Sequence, residues 1–378
     1  MKILHILPGL SSGGIEQVVL ELCGGFNRPD DDVTVISSGG RMVADIEAAG
    51  ARHITLPVRK KTPRSIVGLL GIAALLRKEK FDIVHTHAIY PTWLTHLALK
   101  LVPKKCRPIF VRTFHSLYAP NCYTSIMTRG QVVIAVSHYG KQYMIESYPN
   151  VQPEQISVIS NSIDPKEFCC DYHPSEEWKK QWLADFPKFV GKFVICLPGR
   201  VARYKGCIHL VEVVDRLKKK GIPAHGIFVG ETKRRKLSYK KRVLARIAEL
   251  GLGDSISWLG LRSDVRDIFV SVDAVLSLSI KQEVFGKTCM EALALGCPFA
   301  GYQHGGIGEQ LEQVMPEGRC RNFDIDHMVE ILEKWYHHPV KPSREIPTVY
   351  LRDTMIEAHR QLYQKVLDEQ NAASDSSH

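Results

Sequence analysis

Short apolar runs alternate along this chain with longer stretches that mix apolar and polar positions at helical spacing. In the first half the runs are Lys2–Leu7, Val33–Ser37, Asp82–His87, Phe110–Ser116 and Val132–Ser137. They are too short for helices and apolar on both faces, so they read as buried parallel strands. Between them, Glu16–Gly24 and Ser65–Leu76 have helical periodicity. In the second half the strands are Lys192–Pro198, His225–Gly230, Ile256–Leu261, Ala274–Ser279 and Pro298–Tyr302. A helix is expected over 207–220. A basic one starts around Lys233–Lys236 and Lys240–Arg242, and a capped one opens at Ser263. Another runs from Gly286 to Leu295 and is closed by Gly296. A last helix, Leu351–Leu367, gathers Met355, Ile356, Leu362, Tyr363 and Val366 on one face. Strand–helix alternation of this kind predicts a doubly wound α/β architecture.

A chain of 378 residues exceeds what one hydrophobic core usually serves. Two domains are therefore expected, 1–168 and 169–345. The polar stretch 165–191 would link them, and 346–378 would carry the last helix. Residues 371–378, Asn-Ala-Ala-Ser-Asp-Ser-Ser-His, read as a disordered tail.

Composition removes several function classes. Met1–Pro8 is too short for a secretory leader, and the longest lipid-like run, Ser65–Leu76, falls short of the ~20 residues a membrane span needs. Ten cysteines are scattered with no Cys-x-x-Cys, which argues against zinc and disulfide frameworks and for free thiols in a reducing cytoplasm. The net charge is +10, but basic residues are not interleaved with aromatics and no nucleic-acid motif appears. Anionic substrates or anionic lipid are the better partners. Arg59, Lys60, Lys61 and Arg64 stand directly before the apolar helix 65–76. That reads either as a contact for an anionic bilayer or as the solvated end of an ordinary crossover helix.

Candidate chemistry collects where strands end. After the first strand, Gly13-Gly14 lets backbone approach a diphosphate or a sugar, although neither a dinucleotide fingerprint nor a Walker loop is present. His87, His115 and Ser137 fall at the carboxyl ends of their strands; His85 and His87 read equally as structural or functional. Asp30-Asp-Asp32 lies at the wrong end of its strand for a ligand and reads as a solvated turn. Arg200 and Lys205 fall in the loop after Lys192–Pro198, with Arg203 beside them. Past the strand 274–279, the backbone N–H groups of Phe285, Gly286, Lys287 and Thr288 open a helix and form an anion site. Glu283 and Glu291 flank it. The plainer alternative is a surface helix with two ordinary glutamates.

Glu283 and Glu291, with Phe285-Gly286 between them, resemble the E-x7-E signature of the family 4 retaining glycosyltransferases, which have the GT-B fold. Other segments carry the same resemblance. Gly13-Gly-Ile-Glu16 is similar to the family's Gly-Gly-x-Glu loop, and His115 to the histidine that contacts the donor sugar. Asn161-Ser-Ile-Asp164 is similar to an interdomain Asn-Gly-Ile-Asp, with Ser162 replacing Gly in a turn that tolerates a side chain. Gly199-Arg200 through Lys205-Gly206 resembles a Gly-Arg-(x)n-Lys-Gly segment. Tyr302-Gln-His-Gly-Gly-Ile-Gly308 resembles the family's Gly-Gly loop facing the phosphates and the acceptor.

The resemblance implies an α/β GT-B protein, two Rossmann-like domains facing each other across a cleft, with the last helix crossing back to the first. It implies transfer of a sugar from a nucleoside diphosphate sugar, UDP-sugar first and GDP- or ADP-sugar next, with retained configuration. Arg200 and Lys205 would neutralise the diphosphate, Glu283 would orient sugar hydroxyls, Glu291 the ribose, and Gly260 and Leu261 the base. No metal or other cofactor would be required. The implied acceptor is a carbohydrate or glycolipid, such as a lipopolysaccharide or exopolysaccharide precursor at the cytoplasmic face of the cell membrane. Two rivals are a nucleotide-sugar epimerase on the same fold and an inactive partner in envelope assembly.

Overall fold

The computed structural model describes residues 1–11, 13–231 and 237–375. The chain divides into two units, Met1–Ser162 with Val349–His378, and Ile163–Thr348. The sequence placed these divisions at 168/169 and 345/346. Residues 163–168 go with the second unit because the following turn is held there: Arg266 donates to the Glu167 carbonyl (3.0 Å) and stacks on Tyr172.

The first unit is built on strands β1 (Lys2–Ile6), β2 (Asp32–Ser37), β3 (Arg52–Thr55), β4 (Ile83–Thr86), β5 (Ile109–Phe114), β6 (Val132–Ala135) and β7 (Ile156–Val158). They form one parallel sheet in the order β3-β2-β1-β4-β5-β6-β7. Helices α1 (Gly14–Gly25), α2 (Val43–Ala48), α3 (Ser65–Lys78), α4 (Ile89–Leu101) and α5 (His138–Ser147) connect them. Both faces are covered. Ile3, Val33, Ile83 and Val111 pack with Val18, Val19 and Leu22 of α1. Their strand neighbours Leu4, Val84 and Phe110 pack with Ile72 of α3 and Leu94 of α4. Side chains alternate across a strand, so this division of odd and even positions follows from the apolar runs themselves.

The last helix, Arg352–Asp375, packs on the first unit beside α1, with Met355 and Tyr363 fully buried. It is pinned by a charged contact that the sequence reading missed. Asp31 is not solvated: its side chain is 3% exposed, and it pairs with Arg360 (2.9 Å) and the N-terminal amine (3.3 Å). Arg360 also stacks on Phe26. The carboxyl is desolvated by burial, but the hydrogen bonds and charge of Arg360 and the terminal amine more than offset this and hold its pKa below the usual value. Residues 371–375 continue the helix instead of forming a disordered tail, and 376–378 lie outside the described residues.

The second unit repeats the plan. After α6 (Glu176–Asp185) come β8 (Phe193–Pro198), α7 (Cys207–Lys219), β9 (Ala224–Val229), α8 (Leu237–Glu249), β10 (Ile256–Gly260), α9 (Val265–Phe269), β11 (Ala274–Ser277), α10 (Lys287–Ala294), β12 (Phe299–Tyr302), α11 (Gly305–Val314), β13 (Arg319–Cys320) and α12 (Ile325–His337). The sheet order is β10-β9-β8-β11-β12-β13, all parallel. Relative to the first strand of each unit this is the same winding, with strand order reversing between β1 and β4 and between β8 and β11. Open parallel sheets bind ligands at the carboxyl ends beside that reversal. A pocket of about 220 Å³ lined by Phe193, Asp273 and Pro298 opens at the amino ends, away from every candidate residue.

Two local expectations change. The basic run Lys233–Lys236 lies outside the described residues, and α8 begins at Leu237. Ser263 does not cap α9: the N-cap is Asp264, whose carboxylate instead takes Arg262 (2.8 Å) and the Trp178 indole N–H (2.7 Å).

Candidate functional site

In the second unit, the strand reversal brings two loops together. After β8 the chain runs through Arg200 to Lys205 and enters α7 at Gly206. After β11 it runs through Ser279 and Glu283 to α10. Gly206 has φ 69°, and a Cβ there would lie 2.0 Å from the Leu278 carbonyl, so only glycine lets the loops meet this closely. The Ile280 N–H donates to the Tyr204 carbonyl (2.8 Å). This approach delivers Lys205 Nζ to Glu283 Oε1 at 2.6 Å, and Ser279 Oγ donates to the same oxygen at 2.6 Å. Both charged side chains keep partial solvent access, 22% and 30%. Arg200 is exposed and has no ion pair among the described residues.

A third loop closes on the first two. The Gly306 N–H donates to the Glu283 carbonyl (2.7 Å), and a Cβ on Gly306 would sit 2.2 Å from the Val284 carbonyl. The Gly305-Gly306 pair is thus a packing requirement of the Glu283 loop. His304 lies beside it. Burial lowers its pKa, while the Ser279 backbone and the Glu283 charge oppose the shift.

Helix α10 starts at Lys287, and Met290 is the first residue whose N–H finds the Gly286 carbonyl (3.2 Å). The N–H groups of Lys287, Thr288 and Cys289 precede that first intrahelical bond and form the positive end of the helix. Phe285, which the sequence placed among these donors, lies before the turn and its side chain is buried. Glu291 follows one turn into the helix, half-buried. At the end of β10, Gly260 has φ 71°. Its carbonyl accepts the Gly230 N–H (2.7 Å), and Leu261 beyond it is strongly exposed.

The first unit has its own polar rim. Gly13 precedes α1 in extended conformation, and a Cβ there would meet Glu16 Oε2 at 2.6 Å; Gly14 has open space around it. His85 and His87 are fully buried, and His115, at the end of β5, is half-buried. His87 Nδ1 bonds His115 Nε2 at 3.2 Å, and desolvation takes the His115 pKa down to about 3. His5, missed at the sequence level, joins from β1: its Nδ1 bonds His87 Nε2 at 3.0 Å. The sequence does contain the signal, since residues 5, 85, 87 and 115 share the sheet face covered by α1. Ser162 does more than tolerate its turn. It is buried, and its hydroxyl donates to Glu21 Oε2 (2.7 Å). Arg59, Lys60, Lys61 and Arg64 are all exposed, and none has an acidic partner among the described residues.

Comparison with known proteins matches this two-unit plan. Residues 12–167 match the family model "Glycosyltransferase Family 4", and residues 179–352 match "Glycosyl transferases group 1". The chain is 28% identical over 184 residues to the lipopolysaccharide core biosynthesis mannosyltransferase LpsB of Rhizobium meliloti, covering 49% of this chain and 48% of that protein. It is 23% identical over 326 residues to an Escherichia coli UDP-Gal:alpha-D-GlcNAc-diphosphoundecaprenol alpha-1,3-galactosyltransferase, covering 79% and 78%. The chain matches several curated relatives over less than two thirds of their length, LpsB over 48% and an uncharacterized Methanocaldococcus jannaschii glycosyltransferase over 61%. Among solved structures, a glycosyltransferase from Rickettsia africae superposes with a TM-score of 0.79 at 25% identity, covering 97% of this chain and 98% of that one. Anabaena Alr3699/HepE in complex with UDP and glucose superposes at 0.75 and 18% identity over the full length of both. With a Family 4 domain followed by a group 1 domain on two sheets of the same winding, the chain belongs to the glycosyltransferases of the GT-B fold.

Proposed function

We propose that the protein transfers a sugar from a nucleoside diphosphate sugar to an acceptor hydroxyl with retention of configuration and without a metal. The observation that carries this reading is the Lys205–Glu283–Ser279 cluster beside the N-terminus of α10. Breaking the anomeric C–O bond builds negative charge on the diphosphate and positive charge on the sugar ring. Lys205, Arg200 and the first-turn N–H groups of α10 supply fixed positive charge where the first develops. Glu283 takes sugar hydroxyls and Glu291 the ribose, while the backbone at Gly260 and Leu261 serves the base. Phosphate stabilisation by side chains and a helix end leaves no step that calls for a cation. Asp31, the acid of the Asp30–Asp32 run with the deepest burial, is already committed to Arg360 and the N-terminal amine. No carboxylate is assigned as a nucleophile, so the attack takes place on the face the diphosphate leaves. The departing oxygen helps to deprotonate the acceptor.

UDP-sugar is the first choice of donor, supported by the fold shared with a UDP-bound structure, and GDP- or ADP-sugar follows. A lipid-linked acceptor is supported by the first unit's surface. On α3, Ile66, Val67 and Leu70 are exposed at 65%, 59% and 54%, directly after the exposed Arg59, Lys60, Lys61 and Arg64. Apolar side chains framed by cations suit an anionic bilayer surface. No helix of the described residues is long and apolar enough to cross a membrane, so contact would be peripheral. The test is to incubate the protein with UDP-, GDP- and ADP-sugars, with and without an acceptor lipid extract. Nucleoside diphosphate release is followed, and the anomeric configuration of the product is read by NMR. Release only with acceptor and a retained anomer support the reading. Turnover of free nucleotide sugar alone identifies an epimerase or hydrolase, and no turnover of any donor identifies an inactive partner.

A further inference from the structure

Between Asp82 and Glu146 the chain has no acidic residue, while Lys100, Lys104, Lys105, Arg107, Arg112 and Arg129 all fall in that span. Five of these six cations are exposed or half-buried at the surface. Arg112, on β5, is only 3% exposed. It stands in register with Thr86 of β4, on the sheet face that α4 covers.

The guanidinium is held in a defined seat. It stacks on Phe110 with Cζ 3.8 Å from the ring centroid. A Cβ on Gly130 would lie 1.5 Å from Arg112 Nη1, so the nitrogen fills the place a side chain would take there. Gly130 has φ 127° and is exposed, and the charge therefore lies against a surface turn with no side chain to cover it. Stacking on the ring offsets part of the cost of burial. Nε and Nη1 are still buried without a hydrogen-bond partner among the described residues. No ion pair compensates: burial is the one cause that lowers the Arg112 pKa, to about 10, which leaves it charged at neutral pH. A buried cation with neither hydrogen bonds nor a counter-charge is costly, and folded proteins pair such groups.

The surroundings add positive charge. Burial lowers the pKa of His96 on α4, and Lys100, Arg112 and Arg129 lower it further, so all three cations lie within electrostatic reach of one imidazole. No acid opposes them there. Thr92 of α4 donates to the Thr86 hydroxyl (2.8 Å), which sets this face of the helix over β4 and β5. Thr95, on the same face one turn later, has a fully buried hydroxyl without a partner among the described residues.

We propose that Arg112, with Arg129 and Lys100 beside it, forms a phosphate-binding site on the α4 side of the first unit. Three cations with no acid suit a dianion; a monocarboxylate would answer only one of them. A planar guanidinium also bonds phosphate oxygens in pairs. The charge lies too deep for a flat bilayer surface to reach, so the ligand is a small free phosphate, of which inorganic phosphate is the simplest. The site is independent of the sugar-transfer reading, and it makes the stability of the first unit depend on phosphate.

Thermal unfolding and titration calorimetry of the full chain with inorganic phosphate test this. The Arg200→Ala/Lys205→Ala background keeps the proposed diphosphate site of the second unit from taking up the ion. One phosphate should bind per chain. It should raise the unfolding transition by about 5–10 °C at a concentration roughly a hundred times Kd, while acetate at matched ionic strength should not. Arg112→Met should abolish both binding and the shift. Without phosphate that variant should unfold no earlier than its parent, because an apolar side chain replaces a charge that has no counter-ion. Lys100→Ala and Arg129→Ala, at exposed positions, should keep the fold and raise the phosphate Kd by up to about fivefold each. No response to phosphate in the parent, an equal response to acetate, or a response that survives Arg112→Met would overturn the proposal. So would an Arg112→Met protein destabilised equally with and without phosphate, since the arginine would then be a packing element only. If Arg112→Met does not fold, the Lys100→Ala/Arg129→Ala pair decides, and an unchanged Kd overturns the site.

Discussion

Glu283→Gln should tighten nucleotide binding while slowing the reaction, and Lys205→Ala should do the reverse to binding. The Lys205 ammonium is shared: it bonds Glu283 Oε1 at 2.6 Å and is one of the two side-chain cations proposed for the diphosphate. The pair is 22% and 30% exposed, so it contributes at most about 1 kcal/mol to folding, and neither variant should move Tm by more than about 2–4 °C. Freeing Lys205 from Glu283 returns up to that same ~1 kcal/mol to phosphate binding, about a fivefold lower Kd for UDP. Turnover falls nonetheless, because glutamine accepts sugar hydroxyls more weakly than a carboxylate. Lys205→Ala removes a fixed charge where negative charge develops, which raises the barrier by about 2.7–4 kcal/mol, or 10²–10³ in kcat. Calorimetry with UDP, steady-state UDP release from UDP-glucose and thermal unfolding read the three quantities separately. Weaker UDP binding in Glu283→Gln, near-normal turnover in Lys205→Ala, or a Tm drop that tracks the activity loss would each refute the shared-ammonium argument.

Arg200→Ala should cost turnover on the scale of Lys205→Ala without affecting Tm, because the side chain is exposed and has no ion pair among the described residues; equal kcat in mutant and wild type removes it from the clamp. Activity should survive EDTA, and complete loss restored by manganese or magnesium would require a cation in the mechanism. Replacing Arg59, Lys60, Lys61 and Arg64 with Ser should release the protein from anionic vesicles. At about 1 kcal/mol per basic residue the effect is several kcal/mol at low salt, with UDP affinity unchanged; a variant that floats like wild type refutes the membrane contact. Arg360→Leu should cost about 1–3 kcal/mol in unfolding experiments, since it leaves a carboxylate that is 3% exposed with only the N-terminal amine and the Arg28 N–H, and no measurable cost would show that the pair does not pin the last helix. Acid should also unfold the first unit. Burial lowers the folded-state pKa of His5 and His115 to about 3 and that of His359 to about 4. Their stabilising effect is complete above the unfolded value near 6.5 and is lost as pH falls from there towards 4, at about 1.4 kcal/mol per pH unit for each histidine; a Tm that stays flat from pH 7 to 5 contradicts it.

The apolar runs alone determined most of the strands, because a strand buried on both faces needs a continuous apolar segment and has few ways to be anything else. Period-two alternation also carried the facing of each side chain, which is why residues 5, 85, 87 and 115 share a side. The glycine-rich loops and the acids eight residues apart were visible as chemistry at the ends of strands. Short or polar elements were not: β3, β7 and β13 have two to four residues each and take their strand character from neighbours in the sheet. Residues 371–378 looked disordered because alanine, serine and aspartate mark loops as readily as helix ends, yet the helix runs on to Asp375. Contacts between residues distant in sequence were decided only by the tertiary structure. Asp31 reads as one of three acids in a turn until Arg360 arrives 329 positions later. Lys205 and Glu283 read as separate charges until Gly206 lets one loop lie against the other. His5 reads as an ordinary strand residue until the register of β1 against β4 sets it opposite His85. Local pattern specifies which face a side chain takes; which charged or polar partner it meets there depends on strand order and loop approach, and no local segment encodes those.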